Sequence, residues 1–545
     1  MFRALRVSGN IVDVVSRRIY AGTLVISRGK IKEIHSENKS FDNYLIPGLI
    51  DAHIHIESSL LAPSEFARLA VVHGTVATVS DPHEIANVMG IRGINYMLKN
   101  SKTVPFKFCF GASSCVPATE FETAGANIAH NELNRILAKK EILYLAEMMN
   151  YPAVINSESL ALDKITLAKK YHKPVDGHAP GLRGESLAKY IQAGISTDHE
   201  TITLEEGLEK ISLGMKVIIR EGSAAKNFNA LSPLLEKYPE MCMFCSDDRH
   251  PDDLVSGHIN LLVKMALQKG YDKMDVLAAA SLNPIRHYKL NVGLLQKGDP
   301  ADFVEIDNFE NFNILKTYIN GKLVAEGGKS LIKRTKSPAV NNFHIWPEHV
   351  EDYAVKPEGE KINVIAAIDS QLITDRIADI PKIKDGLLVE DVERDILKIV
   401  VANRYHSARP AVAFAKNFGL KHGAIASSFA HDSHNIVAVG TTGRDIAQAV
   451  NLIIKNKGGL AMANGDFVDV LPLPIAGLMS NADGYAVAEK YSAMTQKARE
   501  WGSQLRAPFM TLSFMALLVI PKLKLSDKGL FDAENFKFIK LSDVA

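Results

Sequence analysis

The first 45 or so residues alternate apolar and polar positions in short runs, ALRVSG, NIVDVV, GTLVISRG and KIKEIH, separated by Gly, Asn and charged turns. A period of two predicts a small β unit. From Leu45 the texture changes, and short β-branched runs alternate with stretches whose apolar residues recur at helical spacing. Eight runs read as strands, at 49–56, 76–80, 106–110, 142–147, 174–178, 196–199, 216–220 and 241–246. Between them, segments such as PSEFARLAVVHG, NELNRILAKK, DKITLAKKYH, GESLAKYIQAG and LEEGLEKISLG read as helices, several closed by Gly or followed by Pro. Eight strand–helix units over about 240 residues predict an α/β fold built on a (β/α)8 TIM-like barrel, whose usual size is ~250 residues.

After about Gly293 the short strands return, with an Asn320-Gly321 hairpin signal. Pairing these strands with the N-terminal ones gives a small β-sandwich domain from 1–45 and 293–335, split around a barrel at 46–292. Residues 336–545 mix strands (NVIAAID, HGAIASSF, NIVAVG) with helices (DIAQAVNLIIKNKG, AVAEKYSAMTQKARE), which predicts a separate C-terminal α/β domain.

Composition narrows the function. With 545 residues, 47% hydrophobic and 23% charged, and Gly and Pro dispersed, the chain is an ordinary globular protein rather than a disordered or stapled one. Lys plus Arg number 63 against 62 Asp plus Glu, a formal charge of +1, so no global field draws in nucleic acid or an anionic membrane. A small substrate is expected. Four cysteines are too few for a disulfide framework and MFRALRVSGNIVDVV lacks a signal peptide's apolar stretch, so a cytoplasmic location is expected. The apolar run at 509–520 is too short to span a bilayer, which takes ~20 residues, and reads as core. Cys242 and Cys245 form a CxxC, but three apart on a strand they face opposite sides, which favours packing over redox or metal chemistry.

In a barrel of this kind, active sites are built at the C-terminal ends of the strands. The metal-type residues fall there. The first strand ends in His53 and His55, an HxH pair on one face; the fourth ends at Glu147, the fifth at His178, the sixth at His199 and the eighth at Asp247. Each alone reads better as a core histidine or a helix cap, but jointly they exceed what one tetrahedral ion needs. Two divalent ions bridged by a carboxylate and a hydroxide fit better, with Glu147 as the carboxylate bridge. Imidazole and carboxylate donors suit Zn2+, Mn2+ or Fe2+.

The split β unit, the motif Pro47-Gly48-Leu49-Ile50-Asp51-Ala52-His53-Ile54-His55, the strand-end histidines and the strand-eight Asp resemble the amidohydrolase superfamily of metal-dependent hydrolases. Within it, HIHIESS, SDPHEIANVMG, LAEMMNYP, DGHAPG, CSDDRHPDDL and HDSHN resemble the adenine deaminases, over essentially the whole chain. Many members of the superfamily bridge their metals with a carboxylated Lys on the fourth strand; Glu147 at that place departs from dihydroorotases and hydantoinases. The resemblance implies a binuclear centre, Mn2+ first and Fe2+ or Zn2+ as alternatives, and hydrolytic deamination of adenine to hypoxanthine and ammonia in purine salvage. It also implies a homodimer. In that chemistry Asp247 shuttles the proton between the attacking hydroxide and the leaving amine, with Asp248 as its competitor for the role. For Asp248 a salt bridge with Arg249 is the favoured alternative.

Other assignments stay open. His83 and Glu84 could line the pocket, or Asp81 and Pro82 could simply start a helix. Glu120 is a candidate for adenine's edge, although loop acids are usually just solvated. His431 and His434 could reach the barrel mouth, bind a further ion or pack. GTTGRD at 440–445 reads as a turn and helix cap rather than an anion site, since no Walker Lys follows. Two rival functions are a cyclic amidase or another heterocycle deaminase on the same scaffold, and a catalytically silent relative used for assembly.

Overall fold

Strands buried on nearly every residue build the centre of the molecule, in a computed structural model that describes residues 4–544. They are β1 (Leu49–Ile54), β2 (Thr75–Ser80), β3 (Lys107–Ala112), β4 (Ile142–Met148), β5 (Val175–Gly177), β6 (Ile195–Asp198), β7 (Lys216–Arg220) and β8 (Cys242–Cys245). Each pairs in parallel with the next along the chain. All eight coincide with the predicted runs to within a few residues. Parallel strands covered by helices are buried on both faces, which is why their sequences read as continuous apolar runs. The barrel closes at its mouth, where the Asp247 N–H donates to the His53 carbonyl at 2.9 Å and the His55 N–H to the Asp247 carbonyl at 3.3 Å. Gly48 is required at the entry to β1, since a Cβ there would lie 2.3 Å from Val76 Cγ2.

The helices follow their capping signals. GESLAKYIQAG folds as Gly184–Ala193 and stops at Gly194, whose φ of 119° suits glycine. Thr203 accepts a hydrogen bond from Glu206 N to start Leu204–Ser212. Cys242 and Cys245 do pack on opposite sides of β8, in two different apolar clusters.

The flanking β segments do meet. Tyr44–Pro47 pairs in parallel with Leu5–Asp13 on one side and antiparallel with Phe303–Ile306 on the other. That one strand splices both halves into a continuous eight-stranded sheet, curled so that the Asn320-Gly321 turn of the far half packs beside Ile26 of the near half. Val7, Ile11 and Leu24 pack with Phe303 and Tyr318 from the far half. The Asn320-Gly321 turn, with φ of 48° and 70°, joins Ile314–Ile319 to Lys322–Glu326 as read from the sequence.

Beyond residue 336 a third eight-stranded sheet, mostly antiparallel, carries the helix Gly443–Asn456 on one face. Thr442 caps that helix by accepting from Asp445 N, so GTTGRD is a capped turn. The apolar run near the end folds as the helix Pro508–Phe514 and the turns after it. It is buried, but it does more than fill core: part of it faces the mouth of the barrel. Among the described residues no helix is long and apolar enough to cross a membrane.

Candidate metal centre and active site

Six side chains predicted from the ends of five strands converge at the mouth. His53 Nε2 and His55 Nε2 lie 3.2 Å apart, and Asp247 Oδ1 sits 3.5 and 3.3 Å from them. Glu147 divides its oxygens: Oε1 lies 3.2 Å from His55 Nε2, while Oε2 lies 2.8 Å from His178 Nδ1 and 3.3 Å from His199 Nε2. The His53 and His199 rings stack at 3.8 Å. Five of the six are buried, and His178 is slightly more open. His53 Nδ1 has no hydrogen-bond partner. Several imidazole and carboxylate donors at such spacing, too many to satisfy one another, form the donor set expected around divalent ions.

Electrostatics follow from burial and pairing. Burial favours a neutral Glu147, but hydrogen bonds from His178, His199 and His55 outweigh it and hold the carboxyl well below its ordinary range. Burial likewise opposes ionised Asp247, and the Arg220 guanidinium reverses the balance. His53 goes the other way: burial and the neighbouring His199 lower its pKa, leaving the neutral imidazole that ligates metal.

The end of β8 departs from simple alternation. Asp247 has φ of 53°, a conformation rare for residues other than glycine, and it turns the chain so that Asp247 and Asp248 both line the cavity. The expected Asp248–Arg249 salt bridge is not formed. Arg249 instead donates to the carbonyls of Glu221, Asp253 and Gly257, while Asp248 accepts from Ser58 Oγ. Burial, opposed by His431, raises the Asp248 pKa, the reverse of Asp247.

His83 and Glu84 do reach the site. His83 Nδ1 lies 3.3 Å from Glu147 Oε1 and 3.1 Å from Asp81 Oδ2. Asp81 makes no cap; its carboxylate serves His83 and Ser113, and the helix His83–Met89 starts at Pro82 without a side-chain cap. Glu84 is held by the C-terminal unit, with His431 Nδ1 at 2.7 Å and His434 Nε2 at 2.5 Å. That answers what the HDSHN histidines do. Glu120 does not join them: it is exposed, and its main-chain carbonyl accepts from Lys528 Nζ. A loop acid so placed is free to stay in water.

Sequence reasoning missed Glu200 and Arg220. Arg220, at the end of β7, grips Glu200 through both terminal nitrogens at 2.7 and 3.0 Å and Asp247 Oδ2 at 2.5 Å. The signal was present: β7 is the strand whose end carries a buried cation instead of a ligand. Reading it required knowing that Glu200 stood beside it. The cavity above these groups measures about 420 Å³, counting its solvent-open part, and apolar residues of the C-terminal unit also line it.

A barrel whose strand ends gather buried histidines and carboxylates defines a metal-dependent hydrolase of the amidohydrolase type, and residues 44–324 match the amidohydrolase family. Residues 371–537 match the adenine deaminase C-terminal domain. The chain is 54% identical to an adenine deaminase of a Sulfurovum species, covering 98% of this chain and 99% of that one. It is 51% identical to an adenine deaminase of Methanosarcina mazei (98% and 98%) and 47% identical to one of Borreliella burgdorferi (98% and 99%). The chain therefore belongs to the adenine deaminase family of amidohydrolases. Among solved structures, a β-aspartyl dipeptidase of Fervidobacterium islandicum superposes with a TM-score of 0.46 at 17% identity, over 59% of this chain and 96% of that one.

Proposed function

We propose that the protein hydrolyses adenine to hypoxanthine and ammonia, and that His53, His55, Glu147, His178, His199 and Asp247 would hold two divalent ions, Glu147 offering an oxygen to each group of histidines. The observation that carries the reading is the split geometry of Glu147, whose two oxygens face different histidines, within a chain near-identical in length to its adenine deaminase relatives. Bound divalent ions supply Lewis acidity, which brings the pKa of water to near ~7.

The chain's own groups do the rest. Asp247 takes up the proton of the attacking water at Oδ1, the oxygen that Arg220 leaves free, and returns it to the departing amine. Glu84 and His83 face the cavity and orient the ring; Glu120 lies outside it and has no such part. The apolar far wall excludes bulk water from the reacting groups. Mn2+ as the resident metal, three folding units at 1–45 with 293–335, 46–292 and 336–545, a homodimer and a cytoplasmic location complete the proposal.

A spectrophotometric screen of Mn-loaded protein against adenine, adenosine, cytosine, guanine and a cyclic amide tests it. Conversion of adenine to hypoxanthine is the expected result. Turnover of a cyclic amide or another heterocycle with inert adenine would replace this reading with the rival hydrolase.

A further inference from the structure

The cavity over the barrel has two unlike sides. Its floor is the polar mouth described above, and facing it are Leu372, Phe514, Leu517, Val519 and Ile520. None of these five has a side-chain hydrogen-bonding group, and all come from the C-terminal unit, in two segments far apart in sequence. One amine ties the two segments together. Lys524, fully buried, donates from Nζ to the Leu372 carbonyl at 2.8 Å and to the Phe514 carbonyl at 2.9 Å. Thr374 repeats the tie, its N–H donating to the Pro521 carbonyl at 3.0 Å and its Oγ1 to the Leu523 carbonyl at 2.8 Å. Phe514 also stacks on His431, with ring centroids 5.3 Å apart, and His431 in turn meets Glu84 of the barrel at 2.7 Å. It is a fixed wall.

We propose that this stapled roof determines specificity: it covers the N9 side of the purine and restricts the reaction to bases without a substituent there. Leu517 and Ile520 are the contact residues and Lys524 is a positioning residue. The proposal rests on the adenine reading above. In adenine, C6 and N9 lie at opposite ends of the fused ring, so a base that offers C6 to the floor turns N9 toward the far wall. A ribose on N9 would set its hydroxyls against side chains that cannot bond them, and polar groups buried without partners are strongly rejected. The roof's hydrogen bonds matter for the same reason, since a loose wall would move aside.

The test compares kcat/KM for adenine, 9-methyladenine and adenosine, using full-length Mn-loaded protein with metal content measured alongside. The wild-type chain is expected to disfavour 9-methyladenine by ~10- to 200-fold, the scale on which an apolar pocket discriminates one added methyl, and adenosine by more because its hydroxyls find no partner. The Leu517→Ala/Ile520→Ala variant should narrow that gap ~10-fold with metal content unchanged. Lys524→Met, which removes the staple without touching the cavity lining, should narrow it too, raising KM for adenine while kcat changes little. Should these variants fold poorly, 9-methyladenine is tested as an inhibitor of the wild-type protein, where it should not compete at ten times the adenine KM. Competition near the adenine KM, or wild-type discrimination retained in metal-replete roof variants, would overturn the proposal while leaving adenine deamination intact. Inert adenine would overturn both.

Discussion

Lys524 offers a measurement that links burial to pH. Its Nζ is fully buried, satisfied by the Leu372 and Phe514 carbonyls and by no carboxylate, and burial pulls its pKa from 10.5 down to about 7. In the unfolded chain the amine titrates near ~10.4. Between those two values the unfolded state binds more protons than the folded state, so stability rises with pH across the window. Below pH 7 both states are charged and the penalty of burying the ammonium is complete; above ~10.4 it is gone. Integrating the linkage from pH 7 to pH 9 gives a gain of about 2 kcal/mol from this one residue. Lys524→Met keeps the length of the side chain and removes the titration, so the difference between wild type and variant isolates the term from every other group. The two carbonyls left without a donor make the variant less stable by a constant amount, because carbonyls do not titrate. Scanning calorimetry of both proteins at pH 7, 8 and 9 should therefore show the wild type gaining roughly 4–8 °C on the variant across the range, in the transition of the C-terminal unit. Parallel pH profiles would refute the reasoning and mean that water or an anion reaches the amine in solution.

His53→Ala and His55→Ala should fold, bind less metal and lose most activity; full metal content with full activity in either would remove it from the site. Asp247→Asn should keep most of its metal while kcat falls by ~10² to 10⁴, the usual loss for an acid–base group, and Asp248→Asn should be far milder. If the larger loss followed Asp248, the shuttle would be the acid beside Ser58 rather than the one held by Arg220. Activity of stripped, metal-reloaded protein should be indifferent to bicarbonate, because a Glu147 bridge needs no carbamate. A bicarbonate requirement would point to a modified Lys in its place.

The barrel, its eight strands and the six convergent donors were legible in the sequence because each depends on local pattern. Strand runs are set by burial on both faces, and a residue at the end of a barrel strand faces the mouth whatever the loops do. The split β unit was legible for a similar reason, since hairpin chemistry such as Asn320-Gly321 is local. What only the tertiary structure decided are contacts between segments far apart in the chain. Arg220 became a partner of Asp247 and Glu200 because β7 lies between β6 and β8 in the barrel, with Glu200 two residues past the end of β6. Asp248 turned into the cavity because a positive φ at Asp247 interrupts the alternation on which a strand register depends. The histidines of HDSHN and the run at 509–520 carried no periodic signal distinguishing a core segment from a site wall. Both kinds of place are buried, and burial is all that hydrophobicity reports. Only the docking of the C-terminal unit over the barrel gave His431 and His434 their partner in Glu84 and gave Phe514, Leu517 and Ile520 a cavity to close.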